Sequence, residues 1–229
     1  SGEGFYAYVS HAIMVSIFIP ASILPAVIVA WGIRDYWRAV GGTRPSLRHF
    51  RSALFDAGRL KNLSGGAAEG CNYEKEDRYT MARRWAHQAI MWGFLLCFAA
   101  TTSGTILHYV FGMEAPYGPL SIPKLLGVPG GILMTIGGVA LIPLKLRADR
   151  SLGAPHRWGG EMAFIILLTI IAASGLALYA ATGTAGVQPL LILHLASVLV
   201  FFLTLPFTKM VHAAFRLAAL VRDAQMNET

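Results

Sequence analysis

Four stretches of this chain contain no Asp, Glu, Lys or Arg: Phe5–Ile33, Trp85–Met113, Leu125–Leu144 and Met162–Thr208. Each reaches the roughly 20 residues that a helix needs to cross a bilayer. Hydrocarbon offers no water to the backbone, so a run of this kind satisfies its own N–H and C=O groups by folding as a helix. The fourth run is too long for one crossing. It is interrupted by TGTAGVQP (Thr182–Pro189), whose glycines and proline end one helix and begin another. The expected fold is therefore all-α: an integral membrane bundle of five transmembrane helices over about 7–33, 85–111, 125–144, 160–182 and 188–212. Their apolar residues surround each helix instead of forming one stripe, as in segments that face both lipid and neighbours. Pro20, Pro25, Pro143 and Pro206 are expected to kink them.

Composition agrees. Of 229 residues 55% are hydrophobic and 14% charged, against about a quarter charged in an ordinary soluble domain. The net charge of +7 raises the question of nucleic acid, and its distribution answers it. Eleven Lys and Arg lie between Arg34 and Arg84, four between Lys145 and Arg157, and three at Lys209, Arg216 and Arg222. With alternating spans all of these fall on one side, and only Lys124 on the other. The positive-inside rule then places the amino terminus outside, the carboxyl terminus in the cytoplasm, and the loop 34–84 on the cytoplasmic side. Topology thus accounts for the basic balance, and no nucleic-acid partner is expected.

Cys71 lies in a polar loop and Cys97 in an apolar run, so no disulfide is expected between them. Two cysteines are also too few for an iron–sulfur cluster, which takes about four thiolates. The chain opens Ser-Gly-Glu-Gly without methionine or a cleavable signal, as a processed product or part of something longer would.

The histidines carry the chemistry. His87 and His108 bracket the second span, and His194 and His212 bracket the fifth. Their separations lie near about six and five whole helical turns, so each span shows its two imidazoles on roughly one face. Antiparallel packing of those faces pairs His87 with His212 and His108 with His194. Two imidazoles facing across a bundle suit a low-spin haem b, whose iron takes one axial nitrogen from each side. Small residues at Ala99–Gly104, Ala172–Gly175 and Ala196–Ser197 leave room between helices, although close helix packing uses the same residues. His11 is an alternative outer ligand or a quinone contact. A one-haem version stays open beside the two-haem one. His156 and His49 are expected to be loop residues.

The loop 34–84 is long for a connector. Its middle, SLRHFRSALFDAGRLKNL, places Leu47, Phe50, Leu54, Phe55 and Leu60 at near-helical spacing among basic residues, as in an amphipathic surface helix. Such a helix binds anionic lipid or docks an electron-donating partner. A quinone needs polar groups for its two carbonyl oxygens. Tyr8, His11, Tyr109 and Tyr117 could supply them on the outer side, and Arg84, Trp85 and Lys209 on the inner side. Arg84 could equally pair with a haem propionate. A rival reading is a small transporter with a histidine proton relay. Against it, no carboxylate lies within the spans, since Glu114 and Glu161 stand at their ends.

Four segments carry a family resemblance: GCNYEKEDRYTMARRWAHQ, GFLLCFAATTSGTILHY, EAPYGPL and ILHLASVLVFFLTLPFTKMVHAAFRLAALVR. They closely resemble the membrane part of the tricarballylate/citrate-utilisation protein B family. The likeness covers almost the whole chain and is strongest over Gly70–Gly131 and Leu190–Arg222. It implies a bacterial inner-membrane protein with a haem-binding membrane region. Such a protein reoxidises the flavin of a dehydrogenase acting on tricarballylate or a related acid, through iron–sulfur centres, and passes the electrons to quinone. The plan is also similar to the gamma subunit of respiratory nitrate reductases, a five-span protein with two haems b. That subunit shares the spacing of His194 and His212, while its span-two histidines sit closer together than His87 and His108. The family's iron–sulfur motif, C-x-x-C-x-x-C, does not occur in this sequence. Another subunit or domain is expected to supply the clusters, with an additional helix upstream of Ser1.

Overall fold

The computed structural model describes residues 8–59, 81–113, 115, 117–148 and 157–227. All regular structure among them is helical. The helices are α1 (His11–Ala39), α2 (Leu47–Arg59), α3 (Ala82–Tyr109), α4 (Ile122–Arg147), α5 (Trp158–Ala180), α6 (Val187–Thr204) and α7 (Val211–Met226). A 3-10 turn, Leu205–Phe207, follows α6 directly. α1, α3, α4, α5 and the segment Val187–Phe207 are each long and apolar enough to cross a membrane, which makes this a multi-pass membrane protein. The five expected crossings are all present.

Successive spans pack as antiparallel neighbours: α3 on α4, α4 on α5, α5 on α6. α1 closes against α6 and α7, and α2 lies on α7. Helices in a bilayer gain little from hydrophobic segregation, so close backbone approach through small residues holds them. Gly93 of α3 shows this. A Cβ there would stand 2.6 Å from the Met134 nitrogen and 2.7 Å from the Gly130 oxygen of α4. One at Gly137 would stand 2.8 Å from the Ala86 oxygen. Ala100 is buried in the same seam, where a Cβ at Gly127 would meet its own at 3.4 Å. Part of the small-residue stretch Ala99–Gly104 therefore serves α4 packing and does not open space between spans.

α3 faces α6 through larger side chains. Phe94 meets Phe201 with ring centroids 5.7 Å apart, and Phe164 stacks on Phe201 at 6.4 Å. Phe164, Leu168 and Phe201 form a buried cluster with Ile90 and Phe94 against it. Hydroxyls in the spans turn back onto their own helix: Thr101 donates to the Cys97 oxygen, Thr102 to Phe98, and Ser197 to Leu193. In hydrocarbon such bonds satisfy the hydroxyl without a partner helix. Large apolar side chains such as Ile23, Leu24, Trp31 and Phe98 point outward, as lipid-facing residues do.

The fifth crossing differs from expectation. A continuous helix over 188–212 would carry both His194 and His212. Instead α6 ends at Thr204, Leu205–Phe207 forms the 3-10 turn, and Thr208 is extended (φ −102°, ψ 173°) before α7 begins. Pro206 is the cause: it has no N–H to continue the ladder, and its ring crowds the preceding turn. His194 and His212 thus stand on separate helices, and the whole-turn count between them does not place His212.

The loop 34–84 is also partly helical. α1 runs on to Ala39, α2 realises the expected amphipathic segment, and α3 begins at Ala82. α7 pins the link between α1 and α2: Arg222 Nε donates to the Val40 oxygen at 3.2 Å, and buried Gln225 Nε2 to the Thr43 oxygen at 3.2 Å. Cys71, Leu60, Glu114 and His156 lie outside the described residues.

Gly93→Ala should separate α3 from α4 and destabilise the bundle by about 1–3 kcal/mol. Gly159→Ala, where an added Cβ has nothing within 4 Å, should be nearly neutral. Thermal unfolding in detergent, followed by far-ultraviolet circular dichroism, compares the two.

Candidate functional site

Two clusters of polar side chains mark the two ends of the bundle. At one end stand His87, in the second turn of α3, and His212, the second residue of α7. Their ring centroids are 6.1 Å apart and their planes nearly perpendicular at 81°. The turn imposed by Pro206 brings His212 here, since it lets the chain re-enter a helix beside the start of α3. His212 Nδ1 donates to the Lys209 carbonyl one turn earlier. That bond fixes the tautomer and leaves Nε2 with a free lone pair, the state in which an imidazole binds a metal. His87 Nδ1 is buried without a hydrogen-bond partner. A buried polar atom left so costs about 1–3 kcal/mol, so its ring sits where a ligand would be expected.

Positive charge gathers around this pair. Lys209 and Arg216 act on His87 electrostatically. Glu161, in the first turn of α5, accepts from Lys145 at the end of α4 through one carboxylate oxygen. Its other oxygen pairs with Lys209 at 2.5 Å. One carboxylate therefore ties together the end of α4, the start of α5 and the turn that carries His212. The sequence reading noted Glu161 only as a span-end acid. The spacing of Glu161 from two lysines distant in sequence gave no sign of the link, which depends on the ends of three segments converging.

At the opposite end are His11, His108 and Tyr109. His108 and His11 have ring centroids 4.8 Å apart, and Tyr109 hydroxyl lies 3.4 Å from His11 Nε2. His108 Nδ1 is again buried without a partner. His194, in the second turn of α6, turns toward α5: its Nδ1 lies 3.1 Å from the Ile171 oxygen and 3.1 Å from Ser174 Oγ. Gly175 makes the room, because a Cβ there would come within 3.0 Å of His194 Cε1. As with His212, a carbonyl partner on Nδ1 leaves Nε2 available. The structure thus brings His87 beside His212, whereas His108 lies against the rings of His11 and Tyr109.

The remaining polar residues have definite places. Arg84 donates from Nη2 to the Arg59 oxygen at 2.9 Å, capping the end of α2. Tyr117 donates to the Gly104 oxygen at 3.0 Å and so braces α3. His49 Nδ1 accepts from the Ser46 N–H at 2.9 Å, a structural bond at the start of α2. Tyr8, Trp85 and Tyr109 are exposed near the ends of their segments. An apolar cleft of about 220 Å³ runs between α1 and α6, lined by Val9, Ile13, Phe18, Ile192, Leu195 and Leu199 among others. Val9 and Ile13 flank His11 in the chain.

The donor set fits a haem better than a bare ion. No group of three or more His, Cys, Asp or Glu is placed to hold a metal among the described residues. A macrocycle supplies four equatorial nitrogens and asks the protein for only two axial ones. His87 and His212, with ring centroids 6.1 Å apart, are the two residues that would hold such a group. The buried, unpartnered Nδ1 atoms of His87 and His108 fit the same group.

Glu161→Gln keeps the shape and removes the charge that Lys145 and Lys209 share, so the bundle should lose about 1–3 kcal/mol. Glu161→Asp, a shorter carboxylate, should fall between Gln and the natural residue. Denaturation midpoints of the three proteins in one detergent check the order.

Comparison with known proteins places the chain. The model of the family described as citrate utilization protein B matches residues 1–229. A protein named citrate utilization protein B from Escherichia coli is 34% identical over 220 residues, covering 96% of this chain and 58% of its own length. The chain thus spans little more than half of that relative. No solved structure matches.

Proposed function

The chain belongs to the citrate utilization protein B family, and we propose that it acts there as a haem b electron-transfer subunit of the bacterial inner membrane. In this reading it takes electrons from a cytoplasmic dehydrogenase module of tricarballylate or citrate type and delivers them to the quinone pool. Flavin and iron–sulfur groups belong to the partner. The protein is an electron-transfer component of a quinone-linked oxidoreductase.

The observation that carries the reading is the His87–His212 pair: two imidazoles from different helices, 6.1 Å apart, one oriented by a carbonyl and the other buried without a partner. These two residues would hold the first haem through their imidazoles. Bound there, the haem supplies a one-electron carrier inside the membrane. The chain's own residues do the rest. Lys209 orients His212 through its carbonyl, and Glu161 holds Lys209 in turn. Lys209 and Arg216 set a positive surrounding that suits propionates and favours the reduced state.

At the other end His108 and His194 would hold a second haem. His194 is oriented for it by the Ile171 carbonyl, and His108 has a buried nitrogen to satisfy. A one-haem version differs only here, and one observation favours it: His108 meets His11. Quinone is taken beside His11 and Tyr109, whose polar atoms suit its carbonyl oxygens, with the α1–α6 cleft accepting the apolar tail.

The transporter reading loses support from Glu161. This span-end carboxylate is held by two lysines and so is not free to relay protons.

His87→Ala and His212→Ala should each remove the same haem, leaving identical residual cytochrome b spectra. His194→Ala should remove the other. Haem-to-protein ratios and reduced-minus-oxidised spectra of the purified variants check this, and different residual spectra for His87→Ala and His212→Ala would break the pairing.

A further inference from the structure

We propose that α2 is an anionic-lipid-binding helix: its exposed Leu47, Phe50 and Leu54 enter the edge of the hydrocarbon while Arg44, Arg51 and Arg59 hold lipid phosphate. The proposal rests on helix placement alone and does not depend on the haem reading.

Leu47, Phe50 and Leu54 share one face of α2, and Phe55 flanks it. All four are exposed, at 79%, 42%, 57% and 57%. Burying a side chain of this size is worth about 1.5–3 kcal/mol, so leaving four in water on one short helix is a substantial penalty. The helix is attached by other residues. α2 packs on α7, and its Ala53 is only 1% exposed.

Depth comes from α3. A Cβ at Gly58 would stand 3.8 Å from Trp92 Cζ2, and Arg84 caps the Arg59 carbonyl. Trp92 lies well inside a spanning helix, so the end of α2 is held against the membrane-spanning body itself. A helix fixed there presents its free apolar face to acyl chains.

Charge selects the lipid. Arg44, Arg48, Arg51 and Arg59 are all exposed, and Asp56 is the one acid within α2. The Arg59 guanidinium lies 3.9 Å over the Phe55 ring, so cation and apolar surface are presented together. A basic amphipathic helix of this kind binds by apolar burial plus attraction to anionic headgroups, about 1 kcal/mol for each nearby basic residue. An acidic protein partner would meet the arginines but would leave the apolar face uncovered at this depth. The occupant is therefore an anionic phospholipid.

The test uses the full chain in mixed micelles of equal phosphatidylcholine and phosphatidylglycerol, with retained lipid counted by native mass spectrometry. The R44Q/R51Q/R59Q variant should retain at least threefold less phosphatidylglycerol with phosphatidylcholine unchanged. R44K/R51K/R59K, which keeps the charge, should retain more than half. Equal phosphatidylglycerol retention by the Gln variant, or the same loss in both variants, would overturn the proposal. Insertion has its own readout. A fluorophore on Leu54→Cys, in a Cys71→Ser, Cys97→Ser background, should be quenched at least twofold by lipids with brominated chains in nanodiscs. An unquenched label would place α2 off the membrane and assign its face to a protein partner instead.

Discussion

Everything in this molecule follows from the absence of water between its two ends. A backbone or side-chain polar group inside hydrocarbon has to be satisfied by the protein itself. The hydroxyls of Thr101, Thr102 and Ser197 comply by bonding within their own helices. Gly93, Gly130 and Gly137 let backbones approach where apolar segregation gives little attraction. Four residues depart from this rule: the buried Nδ1 atoms of His87 and His108 and the hydroxyls of Ser121 and Thr135 have no hydrogen-bond partner among the described residues.

The proposed function rests on the histidines among them. Placing His87 and His212 together requires a start of helix and an interrupted helix at one end of the bundle. Pro206 provides the interruption, the Lys209 carbonyl orients the ring, and Glu161 anchors Lys209 to two further helix ends. Remote parts of the sequence thus converge on one imidazole. The same end of the bundle carries α2 and α7, which pack together, and Arg222 and Gln225 of α7 bond the link between α1 and α2. An electron donor on this side would meet basic residues close to the His87–His212 pair.

The fold was legible because its signal is coarse. Uncharged length marks a span whatever its neighbours are, so all five crossings and α2 are present, although the fifth ends at Phe207 instead of running on to 212. That His87 and His212 lie near one another was legible too, although partly for the wrong reason. The whole-turn count assumed a straight helix through Pro206, and the real path reaches the same partner by a turn. Partners fixed by tertiary packing were not legible. His108 beside His11, Glu161 between two lysines, and His194 turned onto Ser174 depend on rotations of helices about their axes. Periodicity gives a helix its face only to within the width of the apolar surface, and helices apolar on all sides have no such mark. Small residues misled for a similar reason: Ala100 packs on α4, which its presence in a membrane helix does not distinguish from lining a cofactor space.

Electron paramagnetic resonance of the purified, oxidised protein tests the central claim most directly, because it reports the ligands on iron. Axial binding by His87 and His212 should give a low-spin ferric haem with the signal of two imidazoles, lost in His212→Ala. A folded protein without haem, or a high-spin iron unaffected by that substitution, would contradict the account.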